Sequence, residues 1–275
     1  MKLSIITINY NNRDGLQKTI DSVISQTWSD FEWIVIDGGS TDGSKELLEQ
    51  YKDYFSYWCS EPDNGVYNAM NKGIAKANGD YLNFMNSGDA FYEKKTLERV
   101  FSEERNDDIL YGDWEQIYKE HTKVMHYPSP INIYAMYRRN ICHQAMFIRS
   151  IMLKEYGYDE SYHLFADYAR NTDALLYGAS FDYLGIVICK YDMSGLSSIL
   201  SVDNEIEINR IREKYSQVIL LTLQYLDSYE FDRAIQRTKG LVNRGGVIAL
   251  LTKAFLKIMD KMFLGLNFGN NQFLG

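Results

Sequence analysis

The fold of this chain is decided by residues 31–51, which have the sequence FEWIVIDGGSTDGSKELLEQY. The segment from Phe31 to Ile36 is rich in apolar and β-branched residues, a pattern that predicts a buried strand. A polar, glycine-rich loop follows from Asp37 to Gly43. Apolar residues then recur at helical spacing, at Leu47, Leu48 and Tyr51. The stretch therefore predicts a strand, a loop and a helix in series.

The same pattern recurs on both sides of this stretch. Further strands are predicted at Leu3 to Ile8, Phe55 to Ser60 and Tyr81 to Met85, with helical patterns beginning near Leu16 and Val66. Alternating strands and helices imply right-handed βαβ units, so an α/β fold with a mainly parallel sheet and helices on both faces is expected. After about residue 91 the alternation loosens, and the later elements are expected to complete the sheet.

Polar residues follow each of the first four predicted strands. They are Asn9 and Asn11, Asp37 and Asp42, Glu61 and Asp63, and Asn86 and Asp89. Ligands of open α/β sheets bind beyond the carboxyl ends of the strands, where these residues are expected to converge. Asp, Asn and Gly also favour turns, so any one of these loops could be an ordinary connection. Four in series favour a binding site.

The composition indicates one folded unit with a distinct tail. A chain of 275 residues with 45% hydrophobic residues can bury one substantial core. Cys59, Cys142 and Cys189 are odd in number and far apart, which suits a reduced compartment and gives no pair with metal-ligand spacing. Because no apolar run of 18 residues occurs either, we expect a cytoplasmic protein that does not span a membrane.

The net charge of −8 is unevenly distributed. From Arg233 to Gly275 there are seven basic residues and one acidic residue, a net charge of +6, which leaves −14 for the rest of the chain. An acidic body argues against nucleic acid as a partner. The basic tail is better suited to an anionic surface.

Within the tail, residues 247–264 predict an amphipathic helix with Lys253, Lys257 and Lys261 along its polar side. Such a helix favours peripheral binding to the anionic inner face of the plasma membrane. The alternative is that it packs on the catalytic body or on a second copy of the chain in a homodimer.

Four blocks of the sequence together resemble family 2 glycosyltransferases. They are Ile5–Asn11, Val35–Ser44, Ser60–Gly73 and Gly79–Asp89, which match that family in order and spacing. The resemblance implies the GT-A fold, a Rossmann-like mixed sheet, over residues 1–200, with a donor half at about 1–90 and an acceptor half at about 91–200. Residues 201–275 would then form a helical C-terminal extension.

The resemblance also implies an activity. We expect an inverting hexosyltransferase that moves a sugar from a nucleotide-diphosphate donor, with UDP as the expected nucleotide. The acceptor would be a hydroxyl of a glycan or polyprenyl-linked precursor of a cell-surface polysaccharide such as lipopolysaccharide. The residues implied as donor contacts are Thr7, Asn9, Asp37, Gly38, Asn71, Lys72, Ser87 and Gly88. Asp37 would accept the imide N–H of the base, and Lys72 would meet phosphate as a point charge.

Asp89 matches the last acidic position of the family's DxD-like motif and is the implied ligand of Mn²⁺ or Mg²⁺. Asn86 and Gly88 stand where many members have Asp, so the protein supplies less negative charge to the metal. Either the metal would bind with modest affinity, or the phosphates of the donor would supply most of its oxygen ligands.

Asp167 is the implied general base, which takes the proton of the acceptor hydroxyl as that hydroxyl attacks. It matches a family segment in which a carboxylate begins a helix, although Ala166 interrupts the acidic pair found there in many members. A helix N-cap is the alternative role for Asp167. His143 and Gln144 resemble a family dipeptide that borders the acceptor or the pyrophosphate, and a purely structural role is the alternative for His143.

The interrupted acidic motifs leave one rival function, a nucleotide-sugar-binding protein that has lost turnover. Retention of both Asp89 and Asp167 counts against it. A nucleotidyltransferase would need a glycine-rich, basic loop after the first strand, and a dinucleotide oxidoreductase would need G-x-G-x-x-G there. Residues 9–12 contain neither pattern.

Overall fold

The computed structural model of the chain describes residues 2–193 and 204–216. Its strands are β1 (Leu3–Asn9), β2 (Phe31–Asp37), β3 (Tyr57–Ser60), β4 (Tyr81–Phe84), β5 (Ala90–Phe91), β6 (Ile109–Ile117), β7 (Thr122–Met125), β8 (Met146–Arg149) and β9 (Phe181–Asp192). Its helices are α1 (Arg13–Ile24), α2 (Ser44–Gln50), α3 (Val66–Lys76), α4 (Thr96–Phe101), α5 (Ile133–Arg138), α6 (Ser150–Lys154) and α7 (Ala166–Leu176). Residues 204–216 are also helical, and short 3₁₀ turns lie at Lys52–Tyr54 and His143–Ala145.

The described strands form one sheet in the order β3-β2-β1-β4-β8-β6-β9-β5, with β7 paired to β6. β3, β2, β1 and β4 are parallel. β8 runs antiparallel to both β4 and β6, β6 is parallel to β9, and β5 and β7 add further antiparallel pairs. The predicted α/β fold with a mixed sheet is confirmed, and its parallel character is concentrated in the first half.

Alternation along β1 divides the core into two layers. Ile6 and Ile8 point to one face of the sheet and pack in the layer that contains α3. Leu3 and Ile5 point to the other face, towards α1 and α2. Successive side chains of a strand face opposite sides, so a strand covered on both sides is apolar at nearly every position. This explains the continuous apolar runs in the sequence.

The described start of the predicted C-terminal extension packs on the body of the protein. In the helix at 204–216, Ile211 is fully buried and the Tyr215 hydroxyl donates to the Asp173 carboxylate of α7 at 2.6 Å. Glu207 accepts two backbone N–H groups of the loop ahead of α7. This helix therefore packs against α7 and against the loop that precedes α7.

The predicted membrane-binding helix at 247–264 lies outside the described residues. Within residues 2–193 and 204–216, no helix combines the length and the apolar character needed to cross a bilayer. The expectation of membrane binding therefore rests on the charge pattern of the sequence.

The loop between α3 and β4 lies directly against the start of β1. Gly79 donates its backbone N–H to the Ser4 hydroxyl at 2.8 Å, and the buried Glu32 carboxylate accepts from both residues. A Cβ atom at Gly79 would lie 2.5 Å from the backbone nitrogen of Ser4. Backbone atoms of a central strand cannot move aside, so this position requires glycine.

Gly79→Ala should destabilise the fold by about 3 kcal/mol, the upper range for overpacking, because the added methyl group collides with backbone. Gly178→Ala is the control. Among the described residues, no atom lies within 4 Å of a Cβ at that position, so only its φ of +83° opposes the change, at about 1 kcal/mol. Urea unfolding followed by circular dichroism measures both losses. Equal losses would show that the Gly79 contact does not constrain packing.

Candidate active site

The carboxyl ends of β1, β2 and β3 are joined by one buried side chain, Asp37. Asn9 donates to its carboxylate at 2.7 Å and Ser60 at 2.6 Å. Ser40 donates twice, through its hydroxyl at 2.5 Å and its backbone N–H at 3.0 Å. These four bonds occupy the lone-pair positions of the carboxylate, which has no exposed surface. The predicted contact with a nucleotide base would require one of these bonds to open.

The loop after β1 is bonded to the loops on either side of it. Asn11 donates its backbone N–H to the Ser40 hydroxyl and accepts the backbone N–H of Thr41. Asn12 donates its side-chain amide to the Ser87 carbonyl at 3.1 Å. The second and fourth polar loops are therefore both anchored to the first, at one edge of the sheet.

Thr7 does not line this edge. Its side chain is fully buried, and its hydroxyl accepts the indole N–H of Trp33 at 3.0 Å. Side chains alternate along a strand, so Thr7 shares the face of Leu3 and Ile5, which is packed against α1 and α2. We therefore withdraw Thr7 from the predicted donor contacts.

Asp63 occupies the space that a side chain at Gly38 would fill. A Cβ atom on Gly38 would lie 2.6 Å from one oxygen of the Asp63 carboxylate and 3.2 Å from the Tyr10 ring. The other carboxylate oxygen accepts the backbone N–H of Gly65 at 2.9 Å. The sequence predicted Asp63 at this edge without a role, and the structure sets it beside a predicted donor contact.

Asn71 and Lys72 of α3 are both bonded to other parts of the chain. The Asn71 amide donates to the Tyr158 carbonyl and accepts the Tyr158 backbone N–H, which docks the loop ahead of α7 onto α3. Lys72 pairs with Glu61 at 2.9 Å, and that hydrogen bond raises the pKa of Lys72. The Asn71 side chain is thus used to hold this loop against α3. The ion pair between Lys72 and Glu61 is partly exposed and therefore weak. The ammonium group of Lys72 can thus leave it to bind a phosphate.

Asp89 joins the fourth polar loop to the second half of the sheet. One carboxylate oxygen accepts the Gln144 amide at 2.6 Å, and the other accepts the backbone N–H of Asp192, at the end of β9, at 2.9 Å. Its backbone carbonyl accepts the Thr19 hydroxyl at 2.7 Å. The preceding Gly88 has a φ of +103°, which closes the turn without strain. Asp89 and Gln144, two predicted site residues, are in direct contact.

Burial raises the pKa of Asp89 to about 6, although its hydrogen bonds from Asp192 and Gln144 act in the opposite direction. Within residues 2–193 and 204–216, two lone-pair positions of the carboxylate have no donor, so it can serve as one metal ligand. Within the described residues, no group of three or more His, Cys, Asp or Glu side chains could hold a metal ion. The residues present fit a divalent cation whose other oxygens come mainly from a diphosphate.

The predicted base, Asp167, lies in the first turn of α7 and is not its N-cap residue. Tyr67 and the backbone N–H of Tyr168 donate to one carboxylate oxygen, at 3.0 and 2.8 Å. Asn140 and His143 bind the other, at 2.9 and 3.1 Å. Asp167 is therefore buried and bonded on both oxygens.

One 3₁₀ turn connects the two acidic residues. His143 binds Asp167 through Nδ1, and its Nε2 lies 3.0 Å from the Asn86 amide nitrogen. The next residue, Gln144, binds Asp89. A hydrogen-bonded path thus runs from α7 through the turn to the fourth polar loop. No local sequence pattern could show this path, because His143 and Asn86 are 57 residues apart.

Comparison with known proteins gives a consistent match. The family model described as Glycosyl transferase family 2 matches residues 4–163. A PGL/p-HBAD biosynthesis glycosyltransferase from Mycobacterium bovis BCG is 32% identical over 210 residues, which cover 74% of this chain and 81% of that protein. An uncharacterized glycosyltransferase from Mycobacterium tuberculosis H37Rv is 33% identical over 202 residues, which cover 71% of this chain and 77% of that protein.

Among solved structures, S. aureus TarS 1–349 in complex with UDP-GlcNAc is similar, with a TM-score of 0.63 and 18% identity. That alignment covers 100% of this chain and 77% of the TarS chain. This chain covers 60% of another structure of TarS 1–349 and 46% of the longer TarS structure. At this level of identity the similarity shows the fold alone.

Asp89→Asn should raise the stability of the ligand-free protein more at pH 8 than at pH 5. The pKa of Asp89 is near 6 in the fold against an ordinary 3.8, so its stabilising contribution is complete below about pH 4 and is lost as the pH rises through 6. Asn does not ionise, so the substituted protein avoids this loss of folding stability, which is at most about 3 kcal/mol. Thermal unfolding of both proteins at the two pH values measures the difference, with the exposed Asp53→Asn as control. Equal Tm differences at both pH values would contradict a raised pKa.

Proposed function

Since this chain belongs to glycosyl transferase family 2, we propose that it moves a sugar from a UDP-sugar to a hydroxyl of a cell-surface glycan or its polyprenyl-linked precursor, with inversion. The observation that carries the proposal is the bonded edge of the sheet. There, Asp37, Asp89 and Asp167 lie on elements that hydrogen-bond to one another through the loop after β1 and the turn at His143. The UDP-GlcNAc bound to the similarly folded TarS supports a UDP-sugar as the donor.

The donor nucleotide would lie across the loops after β1, β2 and β4. Asn9 supports this because its buried Oδ1 atom has no hydrogen-bond partner in the described part of the chain, which leaves an acceptor for an N–H or hydroxyl group of the nucleoside. Gly38 lets the base approach the backbone beside Asp63. Ser87 and Gly88 would face the diphosphate, with Lys72 recruited from its ion pair.

Asp89 would hold a divalent cation, Mn²⁺ or Mg²⁺, together with the diphosphate of the donor. When bound, such a cation stabilises the negative charge that develops on the departing nucleoside diphosphate. The single carboxylate is consistent with this arrangement, because the diphosphate itself contributes oxygen ligands.

The acceptor hydroxyl would attack from the α7 side of the site, where Asp167 and His143 form a hydrogen-bonded pair. This pair removes the hydroxyl proton as the new bond forms. Attack opposite the departing diphosphate inverts the anomeric carbon. The alternative of a binding protein without turnover is not favoured, because Asp89 and Asp167 are both present and firmly held.

The enzyme would act at the inner face of the plasma membrane. Residues 233–275 carry a net charge of +6, and anionic lipid attracts such a segment. A polyprenyl-linked acceptor would be presented on that same surface.

UDP-sugars with Mn²⁺ should raise the Tm of the protein, by the equivalent of about 2.7 kcal/mol at a hundredfold excess over Kd. GDP- and dTDP-sugars serve as comparisons in the same thermal-shift panel. Asp89→Ala should abolish the Mn²⁺-dependent part of the shift and metal-dependent transfer, whereas Asp53→Ala should not. Unchanged turnover of Asp89→Ala would remove the metal assignment, and no response to any nucleotide sugar would remove the proposed function.

Asp167→Asn should lower the transfer rate at least ~10²-fold while leaving donor binding near normal, because it removes the negative charge that drives proton removal. Steady-state kinetics and the same thermal-shift assay measure the two effects. Asp173→Asn is the matched control on the same helix, and it should retain activity. Full activity of Asp167→Asn would move the base elsewhere, with Asp159 the next candidate.

A further inference from the structure

The two oxygens of the Asp167 carboxylate are held by different parts of the chain. Oδ1 accepts the Tyr67 phenol of α3 at 3.0 Å and the backbone N–H of Tyr168 at 2.8 Å. Oδ2 accepts the Asn140 amide at 2.9 Å and lies 3.1 Å from His143 Nδ1. The partners of Oδ1 are buried and those of Oδ2 are partly exposed, so an acceptor hydroxyl would approach on the Oδ2 side.

Asn140 must present its amide nitrogen to Asp167, because an ionised carboxylate only accepts hydrogen bonds. The Asn140 oxygen then faces the other way, where the Nδ2 atom of Asn171 donates to it at 3.0 Å. Asn171 Nδ2 also lies 3.5 Å from the sulfur of Met146, a weak acceptor. The hydrogen bonds therefore run in one direction, from Asn171 through Asn140 to Asp167.

Asp167 and Asn171 lie on the same face of α7, because residues four apart in a helix are neighbours. Asn140 bridges the two side chains from outside the helix. Asn171 is only 2% exposed, so water does not readily replace its N–H. The residue at position 171 thus determines which end of the Asn140 amide faces the carboxylate.

The backbone of Asn140 is fixed independently of its side chain. The Tyr127 phenol donates to the Asn140 carbonyl at 3.2 Å and accepts the backbone N–H of Cys142 at 2.8 Å. Tyr127 is buried, and its own backbone N–H donates to Asp113. A change at Asn171 should therefore rotate the Asn140 amide without moving the segment that carries it.

Several ionisable groups lie around Asp167. The Tyr67 phenol of α3 and the Tyr158 phenol ahead of α7 are neutral, because burial raises the pKa of both well above the usual value. Arg170 of α7 acts on Tyr158 through its charge, and His143 faces Oδ2 from the 3₁₀ turn. In this setting an amide N–H on Oδ2 favours the ionised carboxylate, and an amide oxygen in its place would disfavour it.

We infer that Asn171 is a positioning residue for the general base and that it acts through Asn140. The inference rests on the proposed function. By accepting from Asn171, Asn140 keeps its N–H on Asp167 and so holds the carboxylate ionised and correctly turned. In the transfer, the acceptor oxygen bonds to the anomeric carbon as the bond to the diphosphate breaks. The diphosphate keeps the electron pair, and the acceptor proton moves to the carboxylate, which later releases it to water.

Asn171→Asp and Thr172→Val test the inference as a matched pair. At pH 8 the new carboxylate attracts the Asn140 N–H, so the Asn140 oxygen turns towards Asp167. Transfer kinetics from pH 5.5 to 9 should show kcat at least ~10-fold lower, with little change in donor KM. The acid limb of kcat should move to higher pH, because the ionised base is disfavoured.

Thr172 is equally buried on α7, and its hydroxyl donates to the Tyr168 carbonyl at 2.8 Å. Thr172→Val should lower the Tm but keep the wild-type kcat and acid limb. A folded Asn171→Asp protein with wild-type kcat and acid limb would overturn the inference. A Thr172→Val protein with the same shift of the acid limb would also overturn it, because any loss of packing in α7 would then suffice.

Asn140→Leu tests the intermediate step, and it also serves if Asn171→Asp does not fold. This change removes the N–H from Asp167 and should lower kcat at least ~10-fold with little change in donor KM. In the Asn140→Leu background, Asn171→Asp should cause no further loss of kcat. An equal further loss would show a direct effect of charge on Asp167, and unchanged kcat of Asn140→Leu would show that its N–H is not needed. Either result would overturn the inference.

Thermal unfolding at pH 8 gives a readout that does not depend on turnover. Asn171→Asp should lower the Tm more in the wild type than in Asp167→Asn, because an amide at position 167 can donate to the rotated Asn140 oxygen. This coupling should vanish in the Asn140→Leu background. Additive Tm losses, or a coupling that persists there, would contradict the inference. A protein with the expected coupling that transfers no sugar would instead count against the proposed function alone.

Discussion

A carboxylate without exposed surface must receive hydrogen bonds on both oxygens, and Asp37 imposes this requirement on three strand ends at once. Its donors come from the end of β1, the loop after β2 and the end of β3. Asn11 and Asn12 extend the same bonding to the loops on either side of the first. The carboxyl edge of the sheet is therefore a set of loops that hold one another in place, and the proposed donor site depends on their fixed positions.

The three buried aspartates of this edge, Asp37, Asp89 and Asp167, accept different numbers of hydrogen bonds on their carboxylates. From the residues that the structure describes, Asp37 and Asp167 each receive four hydrogen bonds, whereas the Asp89 carboxylate receives two. Incomplete compensation for burial is the reason that the pKa of Asp89 is raised to about 6. A ligand that brings positive charge would relieve this cost. In the ligand-free protein the cost of burying the charged Asp89 carboxylate is thus only partly compensated, as is expected of a group that binds a ligand.

Much of the first half of the fold could be predicted from the sequence, because its strands and helices show the apolar periodicity of neighbouring residues. The strands at β1 and β2 and the polar loops after them follow directly from apolar runs and turn residues. Thr7 could also have been excluded, since the alternation along β1 puts it on the buried face of Leu3 and Ile5. The pairing of Asn71 with Tyr158 and of His143 with Asp167 was not predictable. Those contacts join segments that only the folded sheet brings together.

The contact between Gly38 and Asp63 has a consequence for the evolution of the family. The two residues compete for one volume, since a Cβ at position 38 would overlap the Asp63 carboxylate. A relative that acquires a side chain at the first position must shift or lose the carboxylate at the second. An acidic group can therefore move from position 63 to position 38 only by paired substitution, and these two positions are expected to covary among homologues.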